Sequence, residues 1–164
     1  MDKLLRYLLA VAWILGAAGP IPAQTSKAGT AGPDTDRAFT RLIQRYYDAW
    51  NSLDVEKAGE FYAKDAGLIF YDITPFEYHG WAAYKEGVKQ AFFDKMTSAK
   101  LIPNNDLRVT RRGNVAWTTV TFHLSGALKT GGAMELDARH TAIWVKRGGR
   151  WLVVHEHISV PLPE

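Results

Sequence analysis

The stretch WLVVHEHISV, from Trp151 to Val160, alternates like a β-strand and carries His155, Glu156 and His157 in a row. Imidazoles and carboxylates move protons near neutral pH, and imidazoles also bind metal. Residues two apart on a strand share a face, so His155 and His157 stand together with Trp151, Val153 and Ser159. The other face holds Leu152, Val154, Glu156, Ile158 and Val160, apolar apart from Glu156. In the segment before it, Met134, Leu136, Ala138, His140, Ala142 and Trp144 form an apolar face with His140 as its one polar member, opposite Glu135, Asp137, Arg139 and Thr141. In a third segment Ala116, Thr118, Val120, Phe122 and Leu124 oppose Val115, Trp117, Thr119, Thr121 and His123. The even face is expected inward in all three strands. A bulge in a bent strand would reverse that assignment beyond it.

His140 and Glu156 then meet on the inward face of adjacent strands. They form either an acid/base pair that polarises a water or a structural ion pair, and a buried Glu is costly unless it serves one of these ends. Asp72 follows LIFY. A carboxylate beside apolar walls is a candidate base, and Asp is equally at home in a turn before Thr74-Pro75. Tyr46, Tyr47 and Tyr62 could donate hydrogen bonds to a ligand oxygen or fill an aromatic core; Phe122 and Trp144 would complete a ligand wall. The outward set Trp117, His123, Arg139, His155 and His157 is too apolar for free solvent and is expected to be a dimer face. HEHIS is not His-Glu-x-x-His and no carboxylate-rich loop accompanies it, so no metal site is expected. If a bulge turned Arg139 inward, it would clamp an acidic ligand.

Elements must position these side chains. PDTDRAFTRLIQRYYDAWNS places Phe39, Leu42, Ile43, Tyr46, Tyr47 and Trp50 on one helical stripe. LDVEKAGEFYAKDA reads as a short second helix, GLIFYD as a short strand and HGWAAYKEGVKQAFFDKM as a third helix, with Trp81, Tyr84, Val88, Ala91 and Phe92 inward. The period then changes to two, over Ala99–Thr110, Val115–Leu128, Ala133–Lys146 and Trp151–Val160, joined by short glycine-containing turns. Helices before a long antiparallel meander predict an α+β fold, a curled sheet wrapped around three N-terminal helices with an internal pocket.

The 164 residues, 47% of them hydrophobic, suffice for one domain with a real core. The net charge of +3 is scattered, so nucleic acid is not an expected partner. The absence of cysteine removes disulfides, thiol nucleophiles and an acyl anchor. No nucleotide-binding glycine motif or serine elbow occurs, and no cofactor is expected. Lys3 and Arg6, the apolar run Tyr7–Ala18 and GPIPA have the three-part layout of a signal peptide over residues 1–23, too short to span a membrane as a typical helix of about 20 residues. Residues 24–33 read as a flexible linker and 34–164 as the domain, which is expected to be exported, periplasmic or secreted.

TAIWVKRGGRWLVVHEHIS, with Thr141, Trp144, the hairpin glycine, Trp151 and His-x-His-x-Ser, is similar to the association domain of calcium/calmodulin-dependent kinase II. YYDAWNSLDVEKAGEFYAKDA resembles the first two helices of the same superfamily, the nuclear-transport-factor-2-like proteins, in particular the SnoaL-like members. The resemblance covers about residues 35–160. It implies a cone enclosing a pocket for a small, largely apolar ligand, often dimerised through the sheet. It also implies either a cofactor-independent proton-transfer reaction (isomerisation, cyclisation or dehydration) or a non-catalytic assembly role. Asp72 and Tyr46 or Tyr47 could match the base and the tyrosine of the superfamily's steroid isomerases. Their third acid has no counterpart near Thr141 or Ala142, and pocket arginines of the association domain are replaced by Ala142 and Ile158.

Overall fold

The first helix, α1, spans Pro33–Asn51 in a computed structural model that describes residues 33–162. The expected signal peptide and nearly all of the expected linker lie outside the described residues. The α1 stripe packs as its spacing predicts: Phe39, Ile43, Tyr46 and Tyr47 are almost wholly buried, with Leu42 and Trp50 close behind. The second helix, α2, is a single turn and a half, Val55–Gly59, with the Asp54 carboxylate capping the amides of Glu56 and Lys57. Phe61–Ala63, expected to continue it, instead lie along Val153: the Ala63 amide donates to its carbonyl and its amide donates to the Phe61 carbonyl.

Two short strands follow, β1 (Ile69–Phe70) and β2 (Tyr78–His79), paired antiparallel. Strand β2 was concealed because two residues carry no period. The third helix, α3, runs Gly80–Val88 and widens into a π turn over Lys89–Phe93, where the Asp94 amide reaches back to the Lys89 carbonyl. The extra residue in that turn advances the inward face by one position, so Phe93 is buried and Phe92 only partly so. Gly80 opens α3 at φ +78, where a Cβ would lie 2.7 Å from the Ala66 carbonyl oxygen. Only glycine fits that approach.

The main sheet contains β3 (Met96–Pro103), β4 (Arg108–Arg112), β5 (Val115–Leu128), β6 (Ala133–Arg147) and β7 (Arg150–Ser159), in the order β3-β5-β6-β7 with β4 beside β5. The single strand expected over Ala99–Thr110 is two. Pro103 has no amide to donate, and the Asp106 carboxylate accepts from both the amide and the hydroxyl of Thr121, folding residues 104–107 into a loop against β5. The β6–β7 hairpin turns on Gly148 and Gly149 alone, both at positive φ, as a two-residue turn between right-twisted strands requires. The curled sheet wraps the helices and its concave face carries the core.

On that face Ala116, Thr118, Val120, Phe122 and Leu124 of β5 and Ala138, His140, Ala142 and Trp144 of β6 are buried, as alternation predicts. Strand β7 departs from the expectation. Ile143 pairs with His155 but Trp144 pairs with Val153, so Val154 is the extra residue of a bulge. Beyond it the facing reverses: Val153 is fully buried and Trp151 packs on Phe39, where Leu152 and Val154 were expected inward. Glu156 and Ile158, on the other side of the bulge, keep the expected inward face, and Glu156 is fully buried.

Candidate functional site

A fully buried carboxylate must be paid for by hydrogen bonds or lose its charge. Glu156 gathers three phenols from three separate elements. The Tyr46 hydroxyl, from α1, donates to Oε2 at 2.9 Å. The Tyr62 hydroxyl, after α2, lies 2.9 Å from both oxygens, and Tyr84 of α3 donates to Oε1. Tyr46 and Tyr62 hydroxyls are themselves 2.8 Å apart. His140 Nε2 stands 3.4 Å from Oε2, longer than a normal hydrogen bond. Its other nitrogen, Nδ1, is 3.0 Å from the Tyr47 hydroxyl. A bare Nε2 lone pair facing a carboxylate would be repelled, so Nε2 carries the proton and Nδ1 accepts from Tyr47.

Burial opposes ionisation of Glu156, but His140 and the Tyr84 and Tyr46 hydroxyls outweigh it and hold the carboxyl below its usual range. Burial first, and the Glu156 charge second, push the Tyr46, Tyr62 and Tyr84 hydroxyls well above theirs, as they do that of Tyr47. The phenols therefore remain donors at any working pH.

In front of this network lies a cavity of about 170 Å³ between α1, the π turn and the concave sheet. Tyr46, Tyr47 and Trp50 form one wall, Phe122, Leu124 and Leu136 the opposite one, and Asp72, Ile73 and Thr74 an edge. His140 also lines it, whereas Glu156 stands behind and is not part of the wall. Asp72 is half-buried, and its Oδ1 accepts from the Ile73 amide at 2.7 Å. Burial pushes its carboxyl up from 3.8 to about 7, against the Ile73 hydrogen bond and with help from the nearby Glu156 charge. Among the described residues, the buried side-chain polar atoms without a hydrogen-bond partner are Trp50 Nε1 and His140 Nε2, and both side chains line this cavity.

Of the residues singled out for chemistry, Asp72, His140, Tyr46, Tyr47 and Phe122 share the cavity wall. Tyr62 and Trp144 are buried behind it; Tyr62 holds Glu156, and Trp144 donates to Thr118 Oγ1 at 3.0 Å. Spacing marks Tyr84 and Trp50 only as packing residues, because an aromatic at helical spacing looks the same whether or not its polar atom has work. The available signal was indirect: an inward Glu needs donors, and inward tyrosines are the nearest supply.

The outward set lies on the convex face. His123 bridges two carboxylates, Nδ1 to Asp137 at 2.9 Å and Nε2 to Glu135 at 2.8 Å, which raises its pKa. Trp117 is 39% exposed. Arg139 and His157 are exposed, while His155 is tucked under the β1 segment, its Nδ1 2.7 Å from the Ile69 carbonyl.

The model of the SnoaL-like domain matches residues 40–163. Among curated proteins none matches this chain. Solved structures similar to it include a nuclear transport factor 2-like superfamily protein from Salmonella enterica, with TM-score 0.73 and 18% identity over 81% of this chain and 95% of that one. A candidate dehydratase of the same family from Streptomyces avermitilis has TM-score 0.69 and 17% identity, over 80% of this chain and 100% of that one. The association domain of the C. elegans calcium/calmodulin-dependent kinase II has TM-score 0.60 and 18% identity, over 77% and 96%. At such identities the likeness is one of fold. The curled sheet around helices and the family match over three quarters of the sequence agree: the chain belongs to the SnoaL-like domain family.

Proposed function

We propose that this is an exported protein that binds one small, largely apolar molecule in the cone cavity and transfers a proton on it without a cofactor. Isomerisation, cyclisation or dehydration of a carbonyl compound is the reaction class that suits these groups. The observation that carries the reading is the composition of one wall: a half-buried carboxylate, Asp72, and a buried N–H group without a partner, Trp50 Nε1, in a largely apolar cavity. The Asp72 carboxylate takes a proton from carbon beside the carbonyl. The charge that develops on the carbonyl oxygen is met by an N–H donor of the wall. The proton returns to another carbon in an isomerisation, or to a departing hydroxyl in a dehydration. Glu156 acts from behind, holding Tyr46 and His140 in place.

Turnover of a panel of enolisable ketones and β-hydroxy carbonyl compounds tests this. Asp72→Asn is expected to lower kcat/KM by about 10²–10⁴-fold on any compound the protein turns over. Unchanged turnover in that variant removes Asp72 from the mechanism. Native mass spectrometry of the purified protein is expected to show a small-molecule adduct.

The convex face favours a second property alongside the first, a homodimer through the sheet. Ile102, Val115 and Trp117 expose 39–43% of their surface on neighbouring strands of that face. Sedimentation at micromolar concentration is expected to give a dimer, and a monomer there would rule this surface out.

A further inference from the structure

A second concavity, of about 720 Å³, shares no residue with the cone cavity. It lies between the middle of α1, the segment after α2 and the β6–β7 hairpin. Its floor is aromatic: Phe39 and Trp151 pack with ring centres 5.0 Å apart, and Phe61 completes it. Its rim is cationic, with Arg45 from α1, Arg111 from β4, and Lys146 and Arg150 from either side of the hairpin. The one carboxylate in the lining is Glu60. Four cations against one acid leave this groove as positive as the whole chain, whose net charge is +3.

The cations are not consumed by structure. Arg111 uses Nε on the Gly113 carbonyl and lies over the Trp151 ring at 5.3 Å. Arg150 uses one nitrogen on the Glu60 carbonyl. Both keep guanidinium donors to spare. Arg45 and Lys146 are exposed and have no carboxylate partner among the described residues. The neighbouring acid, Asp65, is taken by Arg147 at 2.5 Å. The aromatic floor was fixed by the bulge at Val154, which turned Trp151 inward.

We infer that this groove is a binding site for a small amphipathic carboxylate, with an aromatic or acyl body on Phe39, Phe61 and Trp151 and its carboxylate among Arg45, Arg111, Lys146 and Arg150. Cations with free donors beside an apolar floor recognise that combination, and a concave basic surface concentrates anions. The cone cavity cannot substitute, because Glu156 and an ionised Asp72 repel an anion there.

Calorimetric titration with 2-naphthoate and with its neutral shape-mate 2-naphthol tests the inference. Wild-type protein is expected to bind naphthoate about tenfold more tightly than naphthol, the scale of one charge-assisted hydrogen bond, and added salt should weaken naphthoate alone. The Arg45→Ala, Lys146→Ala double variant should lose that preference. A control with Arg112→Ala and Lys129→Ala, exposed cations outside the groove, should retain it. All four positions are exposed, so folding is not at stake. Equal affinities in the wild type, or a preference lost equally in both double variants, overturns the inference.

Discussion

Glu156 and Asp72 carry the same carboxyl group within electrostatic reach of one another, and the fold treats them in opposite ways. Glu156 has no exposure and is surrounded by three phenols and an imidazole. Asp72 is half-buried, and the hydrogen bond recorded for its side chain is the one from the Ile73 amide. Burial raises both, yet the dense donors around Glu156 pull it below the usual range while Asp72 stays near 7. The difference teaches that donor count, more than depth, decides whether a buried acid is a fixed charge or a proton carrier. The first is suited to holding a site together and the second to reacting in it.

Removing the fixed charge gives the largest expected effect. Glu156→Ala leaves four buried polar groups without their acceptor and is expected to cost about 3–5 kcal/mol in urea unfolding. A loss under about 1 kcal/mol would mean that the network is not what secures the three elements. Removing a single donor sharpens the comparison. Tyr84→Phe should cost about 1.5–3 kcal/mol, the range for a hydrogen bond to a charged group, and should shift the Glu156 titration upward in carboxyl-resolved NMR.

The two carboxyls also have opposite pH signs. Asp72 binds its proton more tightly folded than unfolded, so its contribution is fully present below about 4 and declines as pH rises from 3.8 to about 7. Asp72→Asn should remove that decline and stabilise the protein above pH 7, by on the order of 1–2 kcal/mol once screening of a half-buried group is allowed for. Glu156 binds its proton less tightly folded, so its contribution is present above 4.5 and is lost as pH falls below that. Parallel acid-side slopes in wild type and Glu156→Gln would contradict the assignment. The smallest stability effect belongs to the convex face: Trp117→Glu should change unfolding of the monomer by no more than about 0.5 kcal/mol while shifting sedimentation from dimer to monomer.

The sequence alone determined what depends on local periodicity and turn chemistry. The α1 stripe, the β5 and β6 faces and the Gly148-Gly149 hairpin were all legible, and with them the inward position of Glu156 and His140. So was the family, because its motif lies in that hairpin. Tertiary structure alone decided the rest. The bulge at Val154 reversed Trp151 and Val153, since one inserted residue inverts a period of two. The π turn moved Phe93 inward for the same reason on a helix. The gathering of Tyr46, Tyr62 and Tyr84 on one carboxylate brings together elements up to 110 residues apart. No local pattern encodes it: a tyrosine that packs and a tyrosine that also donates have the same spacing, and only the position of the distant acceptor separates them.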